Sequence, residues 1–187
     1  PVAVASFYDD AATGSIEIIK TDAVDGRTLA GATFDIRAVG DIVRTDDSIV
    51  ALDGETVATV TTDEQGHARV DHLSLGCGTA TYEVVETQAP EGYLLNPTPH
   101  TVKLSYADQQ TPVIEVRLDV SNDYTKIDVS KVDACGGQEV TGAELVLCDS
   151  NGNEIDSWTS SGKPHHIEHL SPGTYTLRET MSPRTYD

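Results

Sequence analysis

Two lysines lie at positions where a β-strand would carry apolar side chains. The residues before each lysine alternate at period 2, so the lysine shares a strand face with two branched apolar residues. The two sets are Ile16, Ile18 and Lys20, and Ile127, Val129 and Lys131. Such a lysine has two possible roles. Its stem can be buried while its ammonium reaches the solvent, or its amine can be desolvated, neutral and able to attack a carbonyl carbon.

A glutamate accompanies each lysine later in the chain. Glu86 lies in the segment Tyr82–Thr87 and Glu179 in the segment Tyr175–Thr180, and both segments read Tyr-x-x-x-Glu-Thr. Four positions separate the tyrosine from the glutamate, which places both side chains on one face of a strand. An apolar-face lysine that recurs with an apolar-face glutamate favours a shared chemical role for the pair.

The two lysine and glutamate pairs belong to two copies of one repeat. The blocks around Lys20 and Lys131 are 111 residues apart, whereas the blocks around Glu86 and Glu179 are 93 residues apart. The first copy therefore contains 18 additional residues between its two blocks. We predict this insertion within Ala38–Val60, where acidic residues interrupt the apolar ones as in a solvated loop or hairpin.

The composition favours strands and excludes several classes of partner. The chain has 187 residues, with 15 Gly and 8 Pro, and is rich in Val, Thr and Asp, which is typical of short strands and turns. Its 12 Lys and Arg against 31 Asp and Glu give a net charge of −19, which would repel nucleic acid and anionic membrane surfaces. No apolar run approaches the roughly 18 residues of a membrane-spanning helix. We therefore expect an all-β protein that binds neither nucleic acid nor membrane.

Each copy is predicted to fold as a small β-sandwich of about seven strands. We place the first domain at residues 14–122 and the second at residues 123–187. Residues 1–13 would be an N-terminal tail or the end of a preceding module. Nothing in the second copy corresponds to residues 94–122 of the first. We therefore expect the second domain to lack its C-terminal strands, and the chain to be a fragment or to have been trimmed.

The repeat resembles a known family. The segment Tyr82–Tyr93 contains Glu-Thr-x-Ala-Pro-x-Gly-Tyr. With the Lys-x-Asp and Leu-x-Gly-Ala-x-Phe blocks, it is similar to the Cna-B-type, or SpaA-type, repeats of Gram-positive surface proteins and pilins. The resemblance extends over about residues 14–186, although residues 181–186 are a looser version of the motif without its glycine. It implies two tandem immunoglobulin-like, or prealbumin-like, β-sandwich domains.

The resemblance also implies a covalent crosslink. In such repeats a lysine of the first strand forms a spontaneous isopeptide bond with an asparagine of the last strand, assisted by a buried acid. Matched by position, Lys20 is the nucleophile, Asn122 is the amide that is attacked, and Glu86 is the assisting acid. We expect Glu86 to stay protonated and to donate to the Asn122 carbonyl. Lys131 and Glu179 match in the second copy, whose asparagine-bearing strand is absent from this chain.

The function implied by the resemblance is that of a structural stalk or backbone module in a cell-surface adhesin or pilus-like protein. Such a module would be extracellular and anchored to the wall of a Gram-positive cell, with other repeats of the same protein as its partners. The alternative is a binding module that recognises a host protein or glycan. The crosslink forms once and needs no cofactor, and the chain has no Gly-x-Ser-x-Gly or His-Glu-x-x-His motif. We therefore expect no enzyme activity beyond this single turnover.

The cysteines have chemical interpretations that compete with simpler ones. Gly76–Gly78 reads Gly-Cys-Gly, as in thioester motifs, but Glu-Gln does not follow it, so a turn is preferred. Cys135 and Cys148 could form a disulfide, with Cys77 left over. A hairpin just after Cys135 would keep the two cysteines too far apart, which favours free thiols.

The histidines and the acidic turns could suggest metal sites. His165 and His169 share a strand face about 13 Å apart, too far for one zinc ion, so a polar strand face is preferred. Asp149–Glu154 resembles the start of a calcium loop but has its glycine misplaced and lacks the later glutamate, so it is predicted as a hairpin turn, as is Gln65–Gly66. The acidic insertion around Asp46 could bind calcium weakly, although solvated loop residues are preferred. We predict no metal site.

Overall fold

The computed structural model describes residues 13–108, 111 and 113–183, and these residues form fourteen strands and no helix. The all-β prediction is confirmed, and this part of the chain contains no helix that could span a membrane. The N-terminal segment predicted at residues 1–13 lies, apart from Thr13, outside the described residues. The strands are β1 (Thr13–Asp22), β2 (Thr33–Val39), β3 (Ile42–Val43), β4 (Ile49–Ala51), β5 (Thr56–Thr61), β6 (His67–Ser74), β7 (Thr79–Gln88), β8 (His100–Ser105), β9 (Val113–Asn122), β10 (Lys126–Val129), β11 (Thr141–Cys148), β12 (Glu154–Ser161), β13 (His165–Glu168) and β14 (Thr176–Met181).

The described residues divide into two compact units. The first contains residues 13–90 and 94–123, and the second contains residues 91–93 and 124–183. Two sheets form the sandwich of the first unit, with strand orders β6-β1-β9 and β5-β2-β7-β8, and β3 and β4 form a further two-stranded sheet. The seven strands of the two larger sheets confirm the sandwich predicted for the first copy.

The core of the first unit is built from alternate residues of its strands. Period-2 alternation turns every second side chain of β1, β2 and β7 inward, and the inward apolar residues are almost completely buried. They are Ile16, Ile18, Phe34, Ile36, Tyr82 and Val84. The buried hydroxyl of Tyr82 donates to the carbonyl of Ser74 at 2.7 Å, which satisfies the one polar atom of that ring. Lys20 and Glu86 occupy the next inward positions of β1 and β7, so both enter the same core.

β1 is the central strand of its sheet, and its parallel neighbour β9 is the last strand of the unit. The two strands stay in register over their whole length, with Lys20 opposite Val120 and Asp22 opposite Asn122. A parallel pair needs a long crossover connection, which β2 to β8 supply here. Folding therefore brings together residues that are about 100 positions apart in the chain.

The insertion of the first unit forms a hairpin, as predicted. β3 and β4, which lie between β2 and β5 in the sequence, pair with each other. Ile42 and Ala51 are buried in the core while Ile49 and Leu52 are exposed, so the hairpin is anchored to the sandwich on one side. In the second unit the matching strands β11 and β12 are joined directly by the turn at residues 149–153, which confirms the hairpin predicted there.

The prediction of a hairpin at Gln65–Gly66 is wrong. A turn forms, since the N–H of Gly66 donates to the carbonyl of Asp63 at 2.9 Å. However, β5 pairs with β2 and β6 pairs with β1, so this turn crosses from one sheet to the other. Turn residues specify where the chain reverses, but not which strand it pairs with afterwards.

The second unit is smaller than the first. Its strands form a two-stranded sheet, β10-β13, and a three-stranded sheet, β12-β11-β14. Its buried core is Leu147, Ile167 and Leu170, with Val129, Trp158 and Tyr175 packed against it. All six residues of β14 are exposed, whereas β7, which has the same motif, is largely buried. Among the described residues, no strand of the second unit corresponds to β8 or β9.

Substitution of Gly66 tests how tightly the chain packs beside Lys20. Gly66 and Gly54 have nearly the same left-handed φ, 75° and 77°, but an added Cβ would lie 2.7 Å from the Lys20 carbonyl at Gly66 and would meet nothing within 4 Å at Gly54. We expect Gly54→Ala to lower the free energy of unfolding by about 1 kcal/mol through backbone strain alone. Gly66→Ala should lower it by roughly 1–3 kcal/mol more through the clash. Urea unfolding of both variants measures the difference. Equal losses in the free energy of unfolding would show that the main chain shifts at Gly66 to make room for the added Cβ.

Candidate functional site

Three polar side chains meet in the core of the first unit. Lys20 of β1, Glu86 of β7 and Asn122 at the end of β9 are 0%, 2% and 2% exposed. The interpretation in which the ammonium of Lys20 reaches solvent is therefore wrong. Glu86 lies beside an irregularity in the β2–β7 ladder, where Phe34 pairs with Glu86 but Thr33 pairs with Gln88. This bulge lets β7 keep Glu86 inward while the strand turns outward after it, since Thr87 and Gln88 are exposed.

Glu86 is the centre of the contacts. The Nδ2 of Asn122 donates to both of its carboxylate oxygens, at 2.9 Å to Oε1 and 2.8 Å to Oε2. The Nζ of Lys20 is 4.0 Å from Oε1 and donates to the main-chain carbonyls of Val120 at 3.4 Å and Thr21 at 3.5 Å. The sequence-predicted lysine, glutamate and asparagine thus lie in one buried cluster.

The main-chain N–H of Asn96 also donates to Oε2 of Glu86, at 2.8 Å. This contact fixes the carboxyl group from the segment between β7 and β8. Sequence reasoning missed it because every residue except proline has such an N–H, so no residue type signals the donor.

The orientation of the Asn122 amide differs from the prediction. We expected Glu86 to donate to the Asn122 carbonyl, but the structure places the Nδ2 of Asn122 against the carboxylate, and Oδ1 is buried without a hydrogen-bond partner. An ionised carboxylate can only accept, so it meets the N–H end of the amide. A half-turn of the amide exchanges its two ends and brings Oδ1 to Glu86, where a protonated carboxyl can donate to it.

Burial changes the acidity of Lys20. Desolvation lowers the pKa of Lys20 from 10.5 to about 8, although the negative charges of Glu86 and Asp22 partly oppose this shift. Roughly a tenth of the amine would be neutral at pH 7, compared with less than a thousandth for an ordinary lysine. A fraction of the Lys20 amine is therefore neutral at pH 7, in a buried cluster that also contains an amide and a carboxyl group.

The equivalent pair in the second unit is in contact but only partly buried. The Nζ of Lys131 is 3.1 Å from Oε2 of Glu179, and the two side chains are 30% and 31% exposed. In the described residues β10 pairs with β13 alone, so nothing covers Lys131 in the way that β9 covers Lys20. For this copy the interpretation of a lysine that reaches solvent is the one that the structure supports.

The cysteines are free thiols, which was the preferred prediction. Cys77 and Cys135 are exposed and Cys148 is buried, with no disulfide between Cys135 and Cys148. Cys77 lies in a turn at Gly76–Gly78, as predicted, and its Sγ contacts the carbonyl of Val43 at 3.2 Å.

The histidines point to different partners. His165 bonds Asp156 at 2.8 Å, whereas His166 contacts Asp128 and His169 stacks on a tyrosine ring. In the part of the chain that the structure describes, no group of three or more His, Cys, Asp or Glu side chains could hold a metal ion. Asp149 accepts hydrogen bonds within its hairpin turn, in the way that turn aspartates do.

The fold agrees with known protein families. The family model of SpaA prealbumin-like fold domains matches residues 14–119 and 125–187. The serine-aspartate repeat-containing protein F of Staphylococcus epidermidis is 31% identical over 143 residues, which are 69% of this chain and 9% of that protein. The chain thus spans less than a tenth of the length of this curated relative.

Two solved structures are also similar. The Bacillus anthracis TIE protein is 23% identical with a TM-score of 0.48, over 94% of this chain and 29% of that one. The pilus 2b backbone protein of group B streptococcus is 24% identical with a TM-score of 0.45, over 60% of this chain and 41% of that one.

The lowered pKa of Lys20 predicts a pH-dependent stability. Between pH 8 and 10.5 the folded chain has released a proton that the unfolded chain still holds, so the free energy of unfolding rises with pH there, and below pH 8 both states are protonated. In Asn122→Ala, which lacks the amide nearest to Glu86, we expect a rise of about 2 kcal/mol from pH 8 to 9.5. The matched control is Lys20→Met with Asn122→Ala, measured by urea unfolding. Parallel profiles for the two proteins would show that Lys20 does not titrate in this range.

Proposed function

This chain belongs to the SpaA family of prealbumin-like fold domains, and on that premise we propose that it is a structural stalk or backbone module of a Gram-positive surface protein or pilus. Its tandem domains would be residues 14–122 and 123–187, with other repeats of the same protein as partners. An isopeptide bond between Lys20 and Asn122 would stabilise the first domain. The observation that supports this most is the burial of an amine, a carboxyl and an amide in one cluster that β1, β7 and β9 assemble.

The reaction starts with a proton transfer inside the pocket. The Lys20 ammonium gives a proton to Glu86, 4.0 Å away, which yields a neutral amine and a neutral carboxyl. Because the two opposite charges disappear together, the pocket keeps its net charge, and the desolvation penalty of both ions is removed. Lowering the pKa of Lys20 to about 8 reduces the free energy that this transfer requires.

The new bond forms between Nζ of Lys20 and Cγ of Asn122. Glu86 donates its proton to Oδ1 of the turned amide while the amine attacks Cγ. The carboxylate then takes the proton that the attacking nitrogen releases and passes it to Nδ2, which leaves as ammonia, and Oδ1 returns its proton to Glu86 as the carbonyl forms again. The contacts of 2.8 and 2.9 Å, made before the amide turns, show that Nδ2 can reach either carboxylate oxygen. One amine and one primary amide thus become one secondary amide and one ammonia, with no other reactant. Folding supplies the proximity, which is worth an effective concentration of roughly 10⁵ M or more.

The bond would close a loop that contains most of the first unit. Lys20 and Asn122 enclose β2 to β8, so the unfolded chain would lose conformational freedom as it does with a disulfide across a long loop. On that analogy the bond would raise the free energy of unfolding by on the order of 4 kcal/mol. This is the property that a stalk module needs in order to resist force and proteolysis.

Intact mass of the folded protein tests the bond. We expect a deficit of one ammonia in the native chain and the full calculated mass in Lys20→Met and Asn122→Ala, with a lower thermal midpoint for both. Glu86→Gln should slow the loss of ammonia by about 100-fold or more. Lys131→Met is the matched control, and it should keep the deficit because Lys131 is not in the buried cluster. The full mass in the native chain would contradict the crosslink and favour the binding-module alternative.

The rate of bond formation should fall above about pH 8. The reactive state contains one proton shared by Lys20 and Glu86, and that proton is lost as the pH passes the pKa of Lys20. We expect the rate of bond formation to be constant near neutral pH and to fall by nearly tenfold per pH unit above pH 8. To measure it, freshly translated chains are denatured and then refolded at each pH, and intact mass follows the loss of ammonia with time. A rate that rises through pH 9 would show that Glu86 does not act as the acid.

A further inference from the structure

A tight turn follows the reactive lysine and is organised by a buried carboxylate. Asp22 is 3% exposed, and its Oδ1 accepts hydrogen bonds from the N–H groups of Val24 at 2.6 Å and Asp25 at 3.2 Å. Its Oδ2 lies 3.7 Å from the Nε of Arg27. The main chain closes the same turn, because Asp22 N–H donates to the Arg27 carbonyl at 2.8 Å and Gly26 N–H donates to the Asp22 carbonyl at 3.1 Å. The carboxylate therefore sets the path of residues 22–27.

This turn holds the residue that carries the amide. The N–H of Ala23 donates to the main-chain carbonyl of Asn122 at 3.0 Å. The β1–β9 ladder ends where Asp22 lies opposite Asn122, so the turn adds a further hydrogen bond just beyond the last ladder pair. The main chain of Asn122 is thus fixed from the turn, while its side chain reaches Glu86.

The second unit contains the same turn, and among its described residues no strand corresponds to β9. Asp133 Oδ1 accepts from the N–H of Cys135 at 2.8 Å, and Asp133 N–H donates to the Gln138 carbonyl at 2.9 Å. Gly137 N–H donates to the Asp133 carbonyl at 3.3 Å, as Gly26 does to Asp22. Each partner lies 111 residues after its counterpart in the first unit. The turn therefore forms from its own local sequence and does not need β9.

We propose that Asp22 is a positioning residue for the reaction of Lys20 with Asn122: its carboxylate shapes the turn whose Ala23 N–H fixes the Asn122 main chain, so that the amide is held against Glu86 in the buried cluster that also contains Lys20. This inference rests on the proposed function. Asp22 acts through Ala23, and we expect the sandwich to fold without its carboxylate, because the ladder contacts of Asp22 with β9 are made by its main chain.

The charge and the geometry of Asp22 have separable effects. Asp22→Asn keeps a side-chain oxygen that can accept from Val24 and Asp25, but it removes the negative charge that opposes the lowering of the Lys20 pKa by burial. Asp22→Ala removes both the acceptor and the charge. Since a displacement of about 1 Å can slow a reaction by about 100-fold, loss of the turn should slow bond formation strongly.

The test measures bond formation in full-length chains made in a short cell-free translation pulse. Samples are quenched at intervals in acid and denaturant, and intact mass gives the fraction of chains that has lost one ammonia. We expect Asp22→Ala to form the bond at least about tenfold more slowly than the native chain at pH 7. Asp22→Asn should restore a near-native rate at pH 7, with its fall at alkaline pH beginning at a lower pH than in the native chain. Asp133→Ala, which removes the same turn from the second unit, should leave the rate unchanged.

The outcomes separate this inference from the proposed function. A native chain that never loses ammonia overturns the proposed function and this inference with it. A native chain that reacts, with Asp22→Ala reacting equally fast, overturns the positioning role alone. The role is also overturned if Asp22→Asn is as slow as Asp22→Ala, if Asp133→Ala is slow, or if circular dichroism shows that Asp22→Ala does not fold.

Discussion

The parallel pairing of β1 with β9 is the constraint on which the buried site depends. β1 is the central strand of its sheet, so a lysine on its inward face has strands on both sides and the second sheet above it. β9 completes that enclosure and supplies Asn122, while β7 supplies Glu86 from the opposite sheet. β1, β7 and β9 together contribute the buried cluster, and burial lowers the pKa of Lys20.

The two copies of the repeat show how far one motif depends on its surroundings. Lys131 and Glu179 repeat the residue types and spacing of Lys20 and Glu86, and they also lie in contact. Among the described residues no strand covers them as β9 covers Lys20, and they form a partly exposed ion pair. The same two residue types thus form a buried pair in the first unit and a partly exposed pair in the second.

Much of the site could be predicted from residue types. Period-2 alternation gave the inward faces of β1 and β7, and the recurrence of a lysine with a glutamate indicated that those two positions act together. Alternation cannot specify which strands become neighbours, and this is why the turn at Gln65–Gly66 was misinterpreted as a hairpin. It also cannot reveal the Asn96 N–H on Glu86 or the rotation of the Asn122 amide, because the first is a main-chain group and the second depends on protonation. Alternation also left open whether each lysine reaches solvent, because burial is a property of the covering strands.

The parallel register of β1 and β9 also determines how the first unit would respond to tension. A pull applied before Thr13 and after Asn122 acts along two parallel strands in opposite directions, so all ten residue pairs of the ladder resist in shear at once. If Lys20 and Asn122 are joined, the tension passes from β1 through the side-chain amide to the end of β9, and the chain between them is bypassed. That chain would have a contour length of roughly 350 Å if it were released. The domain would then behave as a link of fixed length, which cannot lengthen by unfolding until a covalent bond breaks.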